Sequence, residues 1–323
     1  MHMADALLSP AVGIAMDALG AGAIALSAAH IKKDESADKK IPLMGVAGAF
    51  VFAAQMINFT IPGTGSSGHI GGGVLLAGLL GGAPAFVSIS AVLVIQCLFF
   101  ADGGLLALGC NIFNIGVVPC LIIYPLLFKP LLKKGITYAR LSLASVASAI
   151  AALELGAFCV VLQTSASGIT ALPFGAFAAF MLPIHLAIGA VEGVVTAAIL
   201  GFVYKMRSEI LVNALTDGRI SGGAPMKKMI AVFALATVAI GGGLSIFASV
   251  NPDGLEWSIA KTAGAALGGE NAVPMGLNAL NAPASGITGA AITFVLACAA
   301  GLAIHMVKKY KKRAKPAEDA PAK

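Results

Sequence analysis

Charged residues are scarce in this sequence. Asp, Glu, Lys and Arg make up 11% of its 323 residues, where a soluble domain carries about 25%. That excludes an ordinary water-facing enzyme surface. Cysteine is sparse as well. Cys97, Cys110, Cys120, Cys159 and Cys298 all lie in apolar stretches with no C-x-x-C spacing, so they read as small buried hydrophobes, not as disulfides or metal ligands. There is no G-x-x-x-x-G-K-[ST], which excludes nucleotide hydrolysis through a P-loop. G-x-S-x-G and H-E-x-x-H are also missing, and no Ser-Lys pair has the context of a membrane hydrolase. The chain is not expected to be an enzyme.

What is abundant is apolar sequence, at 58% of residues with a mean hydropathy of +0.92. Long apolar runs at 11–30, 43–59, 105–128, 141–163, 175–204, 229–250 and 286–307 match or exceed the 17–25 residues that cross a bilayer as a helix. The fold class is therefore an all-α polytopic membrane protein. The stretch 74–100 is broken by Gly81-Gly82-Ala83-Pro84, and charge decides how it crosses. Cytoplasmic loops collect Lys and Arg. Four basic clusters occur, around Lys32, Lys33, Lys39 and Lys40, around Lys129, Lys133, Lys134 and Arg140, around Lys205, Arg207, Arg219, Lys227 and Lys228, and from Lys308 onward. All four share one side only if 74–100 enters and returns, as a short helix 74–80 and a fuller one 85–100. This predicts a seven-helix unit with one short helix, then two further transmembrane helices, with the N-terminus outside and the C-terminus inside. The net charge of +6 is then a topology signal, and no nucleic acid is implied. Residues 1–210 form the first unit and 211–228 a cytoplasmic linker. A two-helix unit spans 229–310, and 311–323 is a charged tail expected to be disordered.

On this map the outer side carries Met1-His2 and the glycine-rich loop 63–73 with His69. A free amino terminus followed by histidine is a chelator. The α-amine, the His2 amide nitrogen and the His2 imidazole Nδ1 close fused five- and six-membered rings that place three nitrogens in a plane. A fourth nitrogen completes a square, the geometry that favours Ni(II) or Cu(II) over tetrahedral Zn(II). A Met-His start alone is common and without a role in most proteins. Here residues 1–10 carry Asp5 and no basic side chain, unlike a signal peptide, and Pro10 leaves 1–9 as a strap free to fold inward.

Ionisable groups inside a bilayer cost roughly 2.5–3.5 kcal/mol unless partnered, which singles out Asp17, Glu154, His185 and Glu192. Glu154 and His185 lie at similar depth and could pair. His185 and Glu192 share a helix face, roughly 10 Å apart. A polar clamp between helices is the stronger reading, and an ion path or proton relay the weaker. Gln96, Asn111 and Asn114 serve equally as supports around a metal site or as polar glue between helices. His30 and His305 sit near cytoplasmic helix ends. The first helix carries small residues at four-residue spacing, Ala11/Ala15 and Ala21/Ala25/Ala29, for which close packing within the chain is the default reading and docking onto a membrane partner the rival.

Three stretches carry a resemblance: residues 1–10, the loop Ser67-Gly68-His69-Ile70-Gly71-Gly72-Gly73, and residues 99–114 with Asp102-Gly103-Gly104 and Asn111-Ile112-Phe113-Asn114. Together they resemble the CbiM/NikM family, the metal-binding S components of energy-coupling-factor transporters. The likeness covers about residues 1–210. It implies a square-planar site made by the Met1 amine, the His2 amide and imidazole, and His69. The stretch Pro252-Asp253-Gly254-Leu255-Glu256 looks like the PDGLE-type NikN component, fused behind the first unit. The resemblance further implies a cargo of Ni²⁺ or Co²⁺, with a transmembrane coupling (T) protein and a cytoplasmic ABC-type ATPase as partners, and no cofactor. Ala6 departs from the glycine frequent in the family. The rival readings are a proton-coupled carrier or channel using Glu154, His185 and Glu192, and a sensor or assembly factor that does not transport.

Overall fold

The computed structural model describes residues 1–33, 37–216, 227–267, 287–296 and 298–299. Helix α1 (Pro10–Lys33) is followed by α2 (Ala37–Gln55), then by a hairpin of β1 (Phe59–Ile61) and β2 (Ser66–Gly68). The strands are antiparallel, with Phe59 opposite Gly68 and Ile61 opposite Ser66. Gly63 and Gly65 turn the chain at φ of 77° and 74°, conformations open to glycine without strain. The glycine-rich loop is thus half a hairpin and half an irregular strand.

The expected two-legged segment is present as α3 (Gly73–Leu80) and α4 (Gly82–Phe100), broken at Gly81 with φ 84° and ψ 166°. All eight residues of α3 are buried. A helix too short to cross lipid is tolerated because protein surrounds it.

Next comes a continuous rod. It starts as α5 (Leu108–Asn111), winds as a wider π-helix over Ile112–Phe128 with Pro119 and Pro125 inside, and ends as α6 (Lys129–Leu132). Helix α7 (Tyr138–Ser167) begins at Thr137, whose side chain caps Arg140 N. Helix α8 (Phe174–Thr216) kinks at Arg207 and runs well beyond the expected end at 204. Helix α9 (Lys227–Gly242) is shorter than the predicted 229–250. Among the described residues, five helical stretches are long and apolar enough to cross a membrane: α1, α4, the α5–α6 rod, α7 and α8.

Helix α10 (Gly254–Leu267) lies where a loop was expected. Its start is a reciprocal cap. Asp253 Oδ1 accepts from Leu255 N at 2.8 Å and Glu256 N at 2.9 Å, while Glu256 Oε2 accepts from Asp253 N at 3.2 Å. Asp-x-x-Glu is a helix-start signal, hidden here behind the turn chemistry of Asn251-Pro252. The C-terminal span, predicted at 286–307, is described as helix only in part, and the tail from 311 and His305 lie outside the described residues.

The alanine stripe of α1 does not pack within the chain. Ala11, Ala15, Ala21, Ala25 and Ala29 are all exposed, and α1 buries Gly13, Gly20 and Ser27 instead. A Cβ on Gly109 would lie 2.2 Å from the α1 backbone at Asp17, so α5 meets α1 backbone to backbone. Asp17 Oδ1 accepts from Gly109 N at 2.7 Å there, which accounts for an acid in an apolar helix.

Candidate metal centre

The N-terminal strap is threaded into the core. Met1, Met3, Leu7 and Leu8 are buried, Met3 and Leu8 almost completely. Asn111 reads the strap backbone in both directions: its Oδ1 accepts from Met3 N at 2.7 Å and its Nδ2 donates to Met3 O at 3.2 Å. Gly104 N also donates to Met3 O, and Asp5 Oδ1 accepts from Ala107 N, both at 3.0 Å. The segment 102–111 is therefore a cradle for the strap. Ala6 sits exposed in a 3₁₀ turn over Asp5–Leu7, so the turn there forms without glycine. Asn114 pairs reciprocally with Gln163 at 2.8 and 3.0 Å.

The glycine loop is fixed from below. Both oxygens of Glu192 on α8 are occupied by backbone, accepting from Gly71 N at 2.7 Å and Gly72 N at 2.9 Å. Gln55 Nε2 donates to Gly71 O, and Gln96 Nε2 donates to Gln55 Oε1, each at 2.8 Å. Gln96 thus supports the loop through Gln55, a residue that sequence reasoning missed. Glu192 fits the polar-clamp reading.

Strap and loop meet at the two histidines. The His2 and His69 rings stack with centroids 5.2 Å apart and planes 26° from parallel. His2 Nδ1 lies 3.5 Å from Asp102 Oδ1, and its Nε2 is buried with no hydrogen-bond partner. His69 Nδ1 lies 3.1 Å from Ile70 O, a contact that suits an N–H at Nδ1 and leaves Nε2 with a free lone pair. Burial, helped by the adjacent ammonium and His2, pushes the His69 imidazole down to about 4. Burial likewise lowers His2, with Asp102 acting against it. Both rings are held neutral, the form in which a nitrogen can bind a metal. Among the described residues no three His, Cys, Asp or Glu side chains converge as a metal cluster; a site relying on backbone nitrogens and two imidazoles needs none.

A small cavity beside His69 is lined by Met1, Gly71, His185, Asp253 and Gly254, among others. Asp253 arrives from the turn that opens α10. Its Oδ2 lies 2.8 Å from the Met1 ammonium. Burial would raise the Asp253 carboxyl, but the ammonium outweighs it and holds it well below the usual range. Its position 252 residues from Met1 gives no hint of the contact in the sequence.

The expected Glu154–His185 pair is not made. His185 Nδ1 contacts Met181 O at 2.8 Å, while His185 Nε2 and Glu154 Oε1 are buried without hydrogen-bond partners. Two side chains at similar depth on neighbouring helices need not face one another, and here His185 turns to its own helix at Met181 O while Glu154 is only half-buried. His185 instead borders the cavity at Gly254, where a Cβ would come within 3.3 Å of its Nε2.

A helical membrane body that brings two buried, neutral imidazoles and a chain terminus together beside a small cavity defines a membrane protein with a candidate metal centre. The chain belongs to the CbiM family: the profile described as the cobalt uptake substrate-specific transmembrane region matches residues 2–210. A second profile, the PDGLE domain, matches residues 227–280. A chain from Haloquadratum walsbyi described as a metal transport protein is 34% identical over 68% of this chain and 98% of its own length. The fused nickel transport protein NikMN of Rhodobacter capsulatus is 30% identical over 65% of this chain and 64% of its own. A crystal structure of a truncated transition metal transporter superposes with a TM-score of 0.56 at 27% identity, covering 64% of this chain and 99% of that one. The protein is thus a multi-pass membrane subunit of CbiM-type cobalt/nickel transport, not an enzyme.

Proposed function

We propose that the protein captures Ni²⁺ or Co²⁺ from outside the cell in a planar four-nitrogen site. The ligands are the Met1 amine, the His2 amide nitrogen, the His2 imidazole and His69. The observation that carries this reading is the His2–His69 stack at 5.2 Å, formed by a strap whose first residue, Met1, lines the cavity beside His69. The ion enters as the rings part, and displaces one proton from the amine and one from the amide. Planar nitrogen coordination and the likeness to a fused nickel transport protein favour nickel. Residues 1–210 form the capture unit and 229–310 the fused PDGLE-type unit, joined through 211–228, with the N-terminus outside. Release to the inside is driven by partners of energy-coupling-factor type, a transmembrane coupling protein and a cytoplasmic ATPase, in the plasma membrane.

The test is the chain with its Met1 amine acetylated. Acetylation turns the amine into an amide and adds no new nitrogen in chelate reach. Calorimetry of the purified chain with Ni²⁺ is expected to show binding collapse, and the visible band of the bound ion to vanish. Unchanged binding would show that the terminus is not a ligand.

A further inference from the structure

The ion pair between Met1 and Asp253 is the feature that the ligand set does not explain. The second unit reaches the glycine loop along several contacts. Ser67 N donates to Pro252 O at 2.8 Å, Ser67 Oγ donates to Asn251 O at 2.8 Å, and Trp257 Nε1 donates to Thr64 O at 2.9 Å. Ser67 and Asp253 bridge as parallel strand partners. Gly254 lets the turn pass against His185 and Ile188, each 3.0 Å from where a Cβ would lie. These contacts fix the Asp253 backbone, and the two N–H groups capping α10 fix its Oδ1. Its Oδ2 is then left aimed at the terminal nitrogen, on a side chain only 18% exposed.

We infer that Asp253 is a positioning residue for the metal site, lent by the second unit to orient the terminal amine and balance its charge. The inference rests on the proposed ligand set. An amine that gives up one proton to bind a metal keeps two N–H bonds, and one of them can stay on Asp253 Oδ2. That bond fixes rotation about the Cα–N axis and turns the lone pair toward the His2–His69 side. Charge points the same way. A divalent ion that replaces one amine proton and one amide proton leaves the ligand group with the single positive charge the ammonium carried. One buried carboxylate therefore matches both the empty and the loaded site. Asp102, beside His2 Nδ1, is twice as exposed at 36% and is less able to fill that role in a poorly solvated site. Partners that orient metal ligands from outside the coordination shell are typically worth 10–100-fold in affinity.

The test uses the full-length chain with Asp253→Asn. Asparagine caps a helix about as well as aspartate, so α10 should form, and thermal unfolding in detergent checks that it does. The expected result is a 10–100-fold weaker Ni²⁺ affinity, with the visible band of the bound ion at its wild-type position. Asp253→Glu, which restores the charge, should recover most of the loss. Unchanged affinity in Asp253→Asn would overturn the inference. So would a shifted band, because Asp253 would then be a ligand itself. Should Asp253→Asn not fold, hydrogen exchange on the wild type decides. The Leu255 and Glu256 amides are expected to stay protected when Ni²⁺ is added, and loss of that protection would sink the idea. If acetylation of the Met1 amine abolishes binding while Asp253→Asn does not, only this inference falls.

Discussion

Glu192 shows how one buried side chain sets the position of a ligand it never touches. Its carboxylate holds Gly71 N and Gly72 N, two residues beyond His69. Hydrogen bonds to a charged group are worth about 1.5–3 kcal/mol each. Glu192→Gln keeps one acceptor oxygen and turns an NH₂ group toward the other donor. We expect a loss of about 1–3 kcal/mol in stability, read by thermal unfolding, and weaker Ni²⁺ binding as the loop loosens. The histidines set a pH dependence. His69 is pushed below the ordinary 6.5 to about 4, so the unfolded chain takes up that proton first. The stability it contributes is complete above about 6.5 and is lost as pH falls toward about 4, a trend that unfolding scans across that window would show. Metal affinity should also fall with falling pH. Because His69 stays neutral until about 4, that fall comes mainly from the amine and amide protons, and calorimetry in buffers of different ionisation heat would count them. At this scale the sequence was informative where residue types are rare. Only five histidines occur, and topology placed two on one side. Asp102, Gln55 and Asp253 gave no such signal, since their roles come from contacts with residues far away in the chain.

The short leg α3 and the loop before it act as one element. Gly72 precedes α3 at φ 76°, and a Cβ there would lie 2.4 Å from Val51 Cγ1. Gly72→Ala meets both a left-handed backbone, costing roughly 1–2 kcal/mol, and a clash with α2. The expected outcome is a lower unfolding temperature together with weaker Ni²⁺ binding, because the loop must withdraw from Glu192. If affinity held while stability fell, loop position would not matter to the site. The break at Gly81 could be read in the sequence because charge bookkeeping across the membrane allowed only an entering and returning path. The spans flanking it were readable because apolar length is the main requirement for crossing lipid. Helix α10 was not, since Pro252 and Asp253 spell a turn just as well as a helix start. Only the partnership of Asp253 with Glu256 separates the two. The β-hairpin is equally opaque, with strands of three residues each and no alternation to detect.

On the scale of the whole molecule, the alanine row of α1 packs against none of the described residues' core. Helix α1 packs through Gly13, Gly20 and Ser27, leaving Ala11, Ala15, Ala21, Ala25 and Ala29 facing away from the chain. Small residues at this spacing let a second helix approach closely, and in lipid an exposed alanine row gains nothing over larger apolar side chains. The expectation that the stripe packs inside the protein failed because its glycine-bearing face took that place. Under the proposed function, the stripe is the face expected to meet the membrane coupling partner. Ala15→Leu together with Ala25→Leu tests it. Both residues are exposed on the side of α1 opposite Gly13 and Gly20, so Ni²⁺ affinity of the purified chain should match the wild type. Each added side chain stands between the helices, and a loss of about 1.4 kcal/mol in association already lowers complex formation tenfold. We expect co-purification with the coupling protein and ATPase-dependent metal uptake to fall by about that factor or more. Uptake at the wild-type level would place the partner on another face of the molecule.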